Sequence, residues 1–345
     1  MPARRPTLRD VAAAAGVHPS TVSRVLKPRT RGLVSEAVAR RVEAVVQRLG
    51  YAPDAVAAGL RTRRTATIGV IVPDIANPVF PPILRGIERV LVPNGYTAIV
   101  ANTDNLQERE RAVLAELAAR RVDGVVIASA RWVDDVAERC RRLGLPAVMI
   151  NRRPRDGRLS AVVSDDAAGA AQAVAHLTGL GHRRIGHVGG PTSTSTGRSR
   201  RAGFVAAMRG AGLSGAPVVA AARYDIASGE QAARRLLDRH PALTAIVAAN
   251  DLLALGVYDE LARRGRACPR DVSVTGFNDM AFCDRFDPPL TTVAIAHGRI
   301  GEEAARLVLA AIDEPSPVGE LIRLDARLVV RASTAPPPPR ARTPG

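Results

Sequence analysis

Two groups of side chains have the types and spacing to do chemistry. The first lies near the start of the chain, where Ser20, Thr21, Ser23 and Arg24 fall within two turns of a helical repeat. A guanidinium can donate two parallel hydrogen bonds to O6 and N7 of guanine, and short hydroxyls suit phosphate oxygens, so Arg24 is the expected base reader. The second group recurs directly after apolar runs: Asp74, Asn77 and Phe80, then Asn102, then Ser129 and Arg131, and later Asn250 and Asn278. Residues so placed could hold a small polar ligand. One Asn at a strand end is ordinarily a turn or cap residue; the repetition is what argues for binding. Nothing supplies catalytic machinery: there is no P-loop, no GxSxG elbow and no GxGxxG opening a helix, so no cofactor is expected. The six His lack metal-ligand spacing, and Cys140, Cys268 and Cys283 form no CxxC pair.

The first group needs a helix-turn-helix to present it. Thr7 and Asp10 read as a capping box, and Leu8, Val11, Ala12 and Ala15 mark one helical face. Gly16 suits a left-handed helix end, and Pro19 suits the first turn of the next helix, which runs to about Leu26. There Val22, Val25 and Leu26 face inward with Val11 and Val17. A third helix starts at the N-cap Ser35, shows Val38, Val42, Val45, Val46 and Leu49 at helical spacing, and stops at Gly50. A lone helical arginine is ordinarily a solvated charge. Residues 1–64, however, hold 13 Arg and Lys against 4 Asp and Glu, which places more than half of the net charge of +16 in under a fifth of the chain. That is the footprint of a module that displaces counterions from DNA.

The run Thr7-Leu8-Arg9-Asp10-Val11-Ala12, then Gly16-Val17, Thr21-Val22-Ser23-Arg24-Val25-Leu26, Val34-Ser35-Glu36 and Leu49-Gly50-Tyr51-Ala52-Pro53, resembles the lac repressor (LacI/GalR) family of bacterial transcription regulators. The resemblance extends to about residue 331. It implies DNA-facing positions at Leu8, His18, Pro19 and Ser35 as well. It also implies a hinge helix after Tyr51 that orders on operator DNA, with Leu60 wedged into the minor groove, Ala57 against the partner hinge and Arg61 near the backbone. Gly59 weakens that helix when DNA is absent. His18, Lys27 and the stretch from Pro28 to Leu33 depart from the family pattern, so phosphate contacts there are expected to differ.

The remaining chain alternates short apolar runs with helical segments: Ile68 to Val72, Thr97 to Ala101, Gly124 to Ala128, Ala147 to Ile150, Ile185 to Val188, Ala245 to Ala249 and Val272 to Thr275. Buried parallel strands joined by helices give that pattern, so the fold class is α/β: a three-helix N-terminal domain followed by a two-lobed, doubly wound receptor. The resemblance implies the three crossovers of type I periplasmic binding proteins. Expected boundaries are 1–52 for the DNA domain, 53–64 for the hinge, 65–165 with 293–320 for the first lobe, 166–292 with 321–331 for the second, and a disordered tail over 332–345. Ligands of open α/β sheets sit beyond the carboxyl ends of the strands, where the second group lies. The resemblance further places Arg198 in the cleft as an effector contact and matches Tyr224, Asn250 and Asn278 to effector positions. Asn278 stands where many sugar-responsive members carry Asp.

These readings predict an effector-controlled transcription regulator, dimeric on a pseudo-palindromic operator, responding to a small polar molecule such as a carbohydrate. No apolar run resembles a signal peptide or reaches membrane-spanning length, so a cytoplasmic protein is expected. A solute receptor feeding a transporter would require export. A dehydrogenase or sugar kinase would require a phosphate loop after the first strand, where Pro73-Asp74-Ile75-Ala76-Asn77-Pro78 stands instead.

Overall fold

The computed structural model describes residues 6–26, 28–51, 64–314 and 319–339. The expected hinge contacts Ala57, Leu60 and Arg61, together with Lys27, lie outside the described residues. The chain divides into a small unit up to Thr65 and a large one from Ala66 onward.

In the small unit, helices α1 (Leu8–Ala15), α2 (Pro19–Val25) and α4 (Glu36–Leu49) share one core. Thr7 caps α1 as its spacing predicts: the Asp10 amide donates to its hydroxyl at 3.3 Å, and its own amide donates to the Asp10 carboxylate at 2.7 Å. Gly16 closes α1 with φ of 59°, a conformation that costs a residue with a side chain and costs glycine little. Val11, Ala12, Ala15, Val22, Val25, Ala39, Val42 and Val45 are buried against one another. The connection after α2, expected as loop, makes one helical turn, α3 (Pro28–Arg31). The Thr30 hydroxyl ties it back by donating to the Arg24 carbonyl at 2.9 Å.

The large unit holds two six-stranded sheets. The first runs in the order β11 (Leu321–Leu324), β5 (Ser160–Ser164), β4 (Ala147–Ile150), β3 (Gly124–Ile127), β1 (Thr67–Val72), β2 (Thr97–Asn102), all parallel. The second runs β12 (Arg327–Val329), β10 (Thr291–Ala294), β9 (Ser273–Asn278), β8 (Ala245–Ala248), β6 (Ile185–Gly189), β7 (Val218–Ala220), with β12 alone antiparallel to its neighbour. Central strands such as β1, β3 and β4 are buried on both faces, which is why their sequences read as continuous apolar runs rather than alternating ones.

Two expected boundaries are corrected. Leu321–Leu324, assigned by sequence to the second lobe, pairs in parallel with Ala161–Ser164 in the first sheet, and only β12 belongs to the second. The turn at Asp325-Ala326 splits what reads as a single late strand. Thr291–Ala294 stays in the second sheet throughout, so the chain returns to the first lobe at residues 295–296 rather than at 293. The other crossing falls at Asp165, between β5 and α8 (Asp166–Gly179). Helix α12 (His297–Asp313) then packs on α5 (Phe80–Leu91) so closely that a Cβ on Gly301 would lie 2.1 Å from the Ile83 carbonyl oxygen.

The tail is corrected as well. Ser333 is fully buried, donates to the Val274 carbonyl at 2.6 Å and accepts from the Thr291 amide at 2.8 Å. The Ala335 amide donates to Ser273 Oγ at 3.0 Å, and the Ala335 carbonyl accepts from His182 Nε2 at 2.8 Å. The proline run that suggests disorder begins only at Pro336. Among the described residues no helix is long and apolar enough to cross a membrane, and no group of His, Cys, Asp or Glu could hold a metal ion.

His187 on β6 is fully buried, stacked on Phe204 at 4.8 Å, with Nδ1 donating to the Val247 carbonyl at 2.7 Å and Nε2 without a partner. Burial pushes its imidazole down to about 4, and that of His297 likewise to about 4. Both rings take up a proton near pH 6.5 only when the chain unfolds, so their contribution to stability is full above that value and is lost as pH falls toward 4. Asp251, raised to about 6 by burial, acts in the opposite sense over an overlapping window. Comparing wild type with His187→Gln isolates one term: the drop in urea midpoint between pH 7 and pH 4.5 is expected to shrink in the variant. An equal drop in both proteins would contradict this account of His187.

Candidate functional site

The outward face of α2 carries the first group of chemical residues. Arg24 and Ser20 are exposed, Thr21 and Ser23 half-buried, and Val22 and Val25 between them fix which side faces out. Arg24 has no carboxylate partner among the described residues, so its guanidinium keeps all its donors. Pro19 is half-buried at the first position of α2. His18 caps the helix: its Nδ1 accepts from the Ser20 amide at 3.2 Å and lies 2.8 Å from the Ser20 hydroxyl. Ser35 takes the cap position of α4 without a side-chain capping bond, which leaves its hydroxyl for another acceptor or donor. Leu8 is half-buried and packs on the small unit's core at the start of α1.

A small cavity lies between the two lobes of the large unit. The first lobe contributes Asn77, Val79, Phe80, Asn151 and Arg152, and the second Thr196, Arg200, Tyr224, Asn250 and Asn278. Of the ten sequence-derived candidates, Asn77, Phe80, Tyr224, Asn250 and Asn278 are brought together here. The other five are not. Asp74 accepts from the Ala76 amide at 3.0 Å, and Asn102 spans from the Ile75 amide at 3.0 Å to Asp104 at 2.6 Å, so both wire the turns after β1 and β2. Ser129 donates to the buried carboxylate of Glu110. Arg131 is exposed, with its amide bonded to Asp134 at 2.8 Å.

Arg198 is the main correction. It is exposed, reaches the Thr192 carbonyl at 3.4 Å and stacks over the Trp132 ring at 5.4 Å, outside the cavity. Arg200 points inward instead. Helix α9 (Ser195–Gly210), capped by Thr194, turns about 100° per residue, so Thr196, Arg200 and Phe204 share its buried face while Arg198 lies on the opposite side. The buried Gly203-Phe204 pair carried that signal, because Arg200 sits one turn before Phe204. Asn151 and Arg152 were missed although they directly follow β4 and obey the same strand-end rule as the residues that were chosen.

Arg200 is held on every nitrogen: Nε donates to Asp166 at 2.8 Å, Nη1 to the Ala249 carbonyl at 2.6 Å and Nη2 to Asn278 Oδ1 at 3.2 Å. Its guanidinium lies 3.8 Å from the Phe277 ring centre. Asn250 caps α11 (Asp251–Arg263), its Oδ1 accepting from the Leu253 amide at 2.9 Å. Tyr224 and Thr196 join hydroxyls at 3.0 Å. Asn151 and Asn278 both adopt positive φ, 59° and 107°, a region that Asn tolerates better than other residues with a Cβ. Such strain concentrates where a side chain must be aimed.

Comparison with known proteins accords with both halves of this arrangement. Residues 7–54 match the description bacterial regulatory proteins, lacI family, and residues 174–334 match a periplasmic binding protein-like domain. The ribose operon repressor of Escherichia coli (strain K12) is 32% identical over 331 residues, spanning 95% of this chain and 99% of that protein. The chain belongs to the lacI family of bacterial regulatory proteins. Solved members of the lacI family share its fold over nearly their whole length. The lac repressor dimer bound to operator and the anti-inducer ONPF has a TM-score of 0.81 at 26% identity, covering 96% of this chain and 100% of that one. The transcriptional regulator CelR–cellobiose complex has a TM-score of 0.74 at 32% identity, covering 95% and 100%. Membership of the lacI family makes the chain a DNA-binding transcription regulator and not an enzyme.

For the DNA-reading face, Arg24→Ala is expected to cost about 1–3 kcal/mol on a specific operator and much less on random duplex. Fluorescence anisotropy on both duplexes checks this, and equal losses would reduce Arg24 to a phosphate contact.

Proposed function

We propose that the chain is a homodimeric repressor that binds a pseudo-palindromic operator in the cytoplasm and changes its operator affinity when a small polar effector, a carbohydrate or a derivative of one, enters the cavity between the lobes. The observation that carries this reading is a polar cavity lined from both lobes of a receptor in a chain that also bears a helix-turn-helix. A ligand touching Asn77 and Phe80 on one side and Arg200 and Asn278 on the other favours one lobe arrangement over another. It can alter operator binding only through that difference, and the operator must alter effector affinity by the same factor. Relatives named for ribose and cellobiose support a sugar-like ligand.

On the DNA side, Arg24 reads a base, Ser20, Thr21, Ser23 and Ser35 contact phosphates, and Leu8, His18 and Pro19 border them. Ala57, Leu60 and Arg61 form the hinge that reaches the minor groove. The exposed edge strand β2, with Ile99 and Val100, and the neighbouring exposed Val92 give an apolar surface for a second copy.

The test is operator binding titrated with a panel of sugars and sugar derivatives. Arg200→Gln is expected to abolish the response that wild type shows, and Arg198→Ala, on the opposite face of α9, is expected to retain it. Tyr224→Ala serves as a second cavity variant should loss of the Arg200–Asp166 pair unfold the receptor. The reverse pattern, with Arg198 required and the cavity residues dispensable, would place the effector elsewhere.

A further inference from the structure

The cavity offers many hydrogen-bond donors and few free acceptors. Three of its four amide oxygens are already used within the protein: Asn77 Oδ1 accepts from the Val79 amide at 3.2 Å, Asn250 Oδ1 from the Leu253 amide at 2.9 Å and Asn278 Oδ1 from Arg200 at 3.2 Å. Because each partner is an N–H group, the oxygen must face it, and the NH₂ group of each amide is left for a ligand. No carboxylate among the described residues lines the cavity, and Asp166, behind Arg200, is engaged by it. A neutral sugar brings hydroxyls that donate as well as accept, and each buried O–H without an acceptor costs affinity. This cavity is poorly furnished to receive them.

Charge points the same way. Arg200 has a counter-ion in Asp166, whereas Arg152 has no carboxylate within ion-pair distance among the described residues and feels only the more distant Glu110. Arg152 is only 6% exposed and lines the cavity; its Nη1 donates to Asn105 Oδ1 at 2.9 Å, its guanidinium lies 5.7 Å from the Tyr224 ring centre, and its Nε has no partner. A buried cation without a counter-ion is costly.

We infer that the effector carries an anionic oxygen group, a carboxylate or a phosphate, which seats against Arg152 and Arg200 and accepts from the amide NH₂ groups. The inference rests on the cavity being the effector site. It narrows the ligand class from small carbohydrates to sugar acids or sugar phosphates.

Thermal unfolding of the full chain tests it with defined probes at constant ionic strength: sodium phosphate, sodium acetate and sodium chloride, then glucose, glucuronate and glucose 6-phosphate. The expected result is a saturable rise in Tm with phosphate or acetate over chloride, and a larger one with the matching glucose derivative than with glucose. Which member of each pair acts tells phosphate from carboxylate. Arg152→Gln is expected to lose the rise and, without ligand, to melt no lower than wild type, since it removes a buried charge that no carboxylate contacts. Arg152→Lys, which keeps the charge, is expected to retain part of the rise. An equal rise in wild type and Arg152→Gln places the anion elsewhere, for instance on the DNA-reading unit, and overturns the inference. A rise with glucose or ribose but with no anion, lost in Arg200→Gln, also overturns it while leaving the cavity as the effector site. No rise with any probe counts against both.

Discussion

Burying a guanidinium is costly unless its donors are met, and the receptor meets those of Arg200 by converging three separate pieces of chain on one point. Asp166 opens α8 just past the first crossing, Ala249 directly follows β8 and Asn278 ends β9. The bonds therefore fix the relative heights of two strand ends and a helix start, and the rest of the cavity wall is placed from them. Asn250 and Tyr224 stand on segments beside these anchors. Removing one member of such a buried pair ordinarily costs about 3–5 kcal/mol, because the partner is left charged and unsolvated. Recognition and lobe architecture thus rest on the same set of bonds.

The lobes meet through polar contacts as well as through the shared chain. The Trp132 amide donates to the Ser193 carbonyl at 2.7 Å, and the Arg153 amide to Ser195 Oγ at 3.1 Å. The Arg198–Trp132 stacking lies beside them. These contacts join the loops after β3 and β4 to the start of α9, and polar contacts of this kind can be exchanged without disturbing either core. Arg198 therefore belongs to the contact surface between the lobes, while Arg200 belongs to the buried wall of the second.

Much of this was legible in the sequence because it follows from local rules. The capping box at Thr7, the stop at Gly16, the inward valines of α2 and α4, and nearly all strands declared themselves by spacing and turn chemistry. What was not legible depended on long-range geometry. Val218–Ala220 is too short and too exposed to stand out as a strand. Leu321–Leu324 carries no mark of which sheet it joins, because either edge would accept an apolar strand. Asp74, Asn102 and Ser129 have the chemistry of ligand contacts, yet local turns and the Glu110 carboxylate claim them first. Arg198 and Arg200 differ by two positions, which on a helix means opposite faces, and only the packing of Phe204 decides between them.

The strip from Ser333 to Ala335 is bonded across β9, β10 and the segment before β6. The second lobe thus takes structural bonds from residues that the ribosome adds only after all of its described strands, and the first lobe still awaits β11 until shortly before. The three core helices of the helix-turn-helix unit, by contrast, all fall between Leu8 and Leu49. During translation the three helices of the DNA-reading unit are therefore made long before the receptor's strands are all present. Ribosomes that stop early would release fragments able to fold at one end and not the other, exposing unpaired parallel strands to aggregation and clearance.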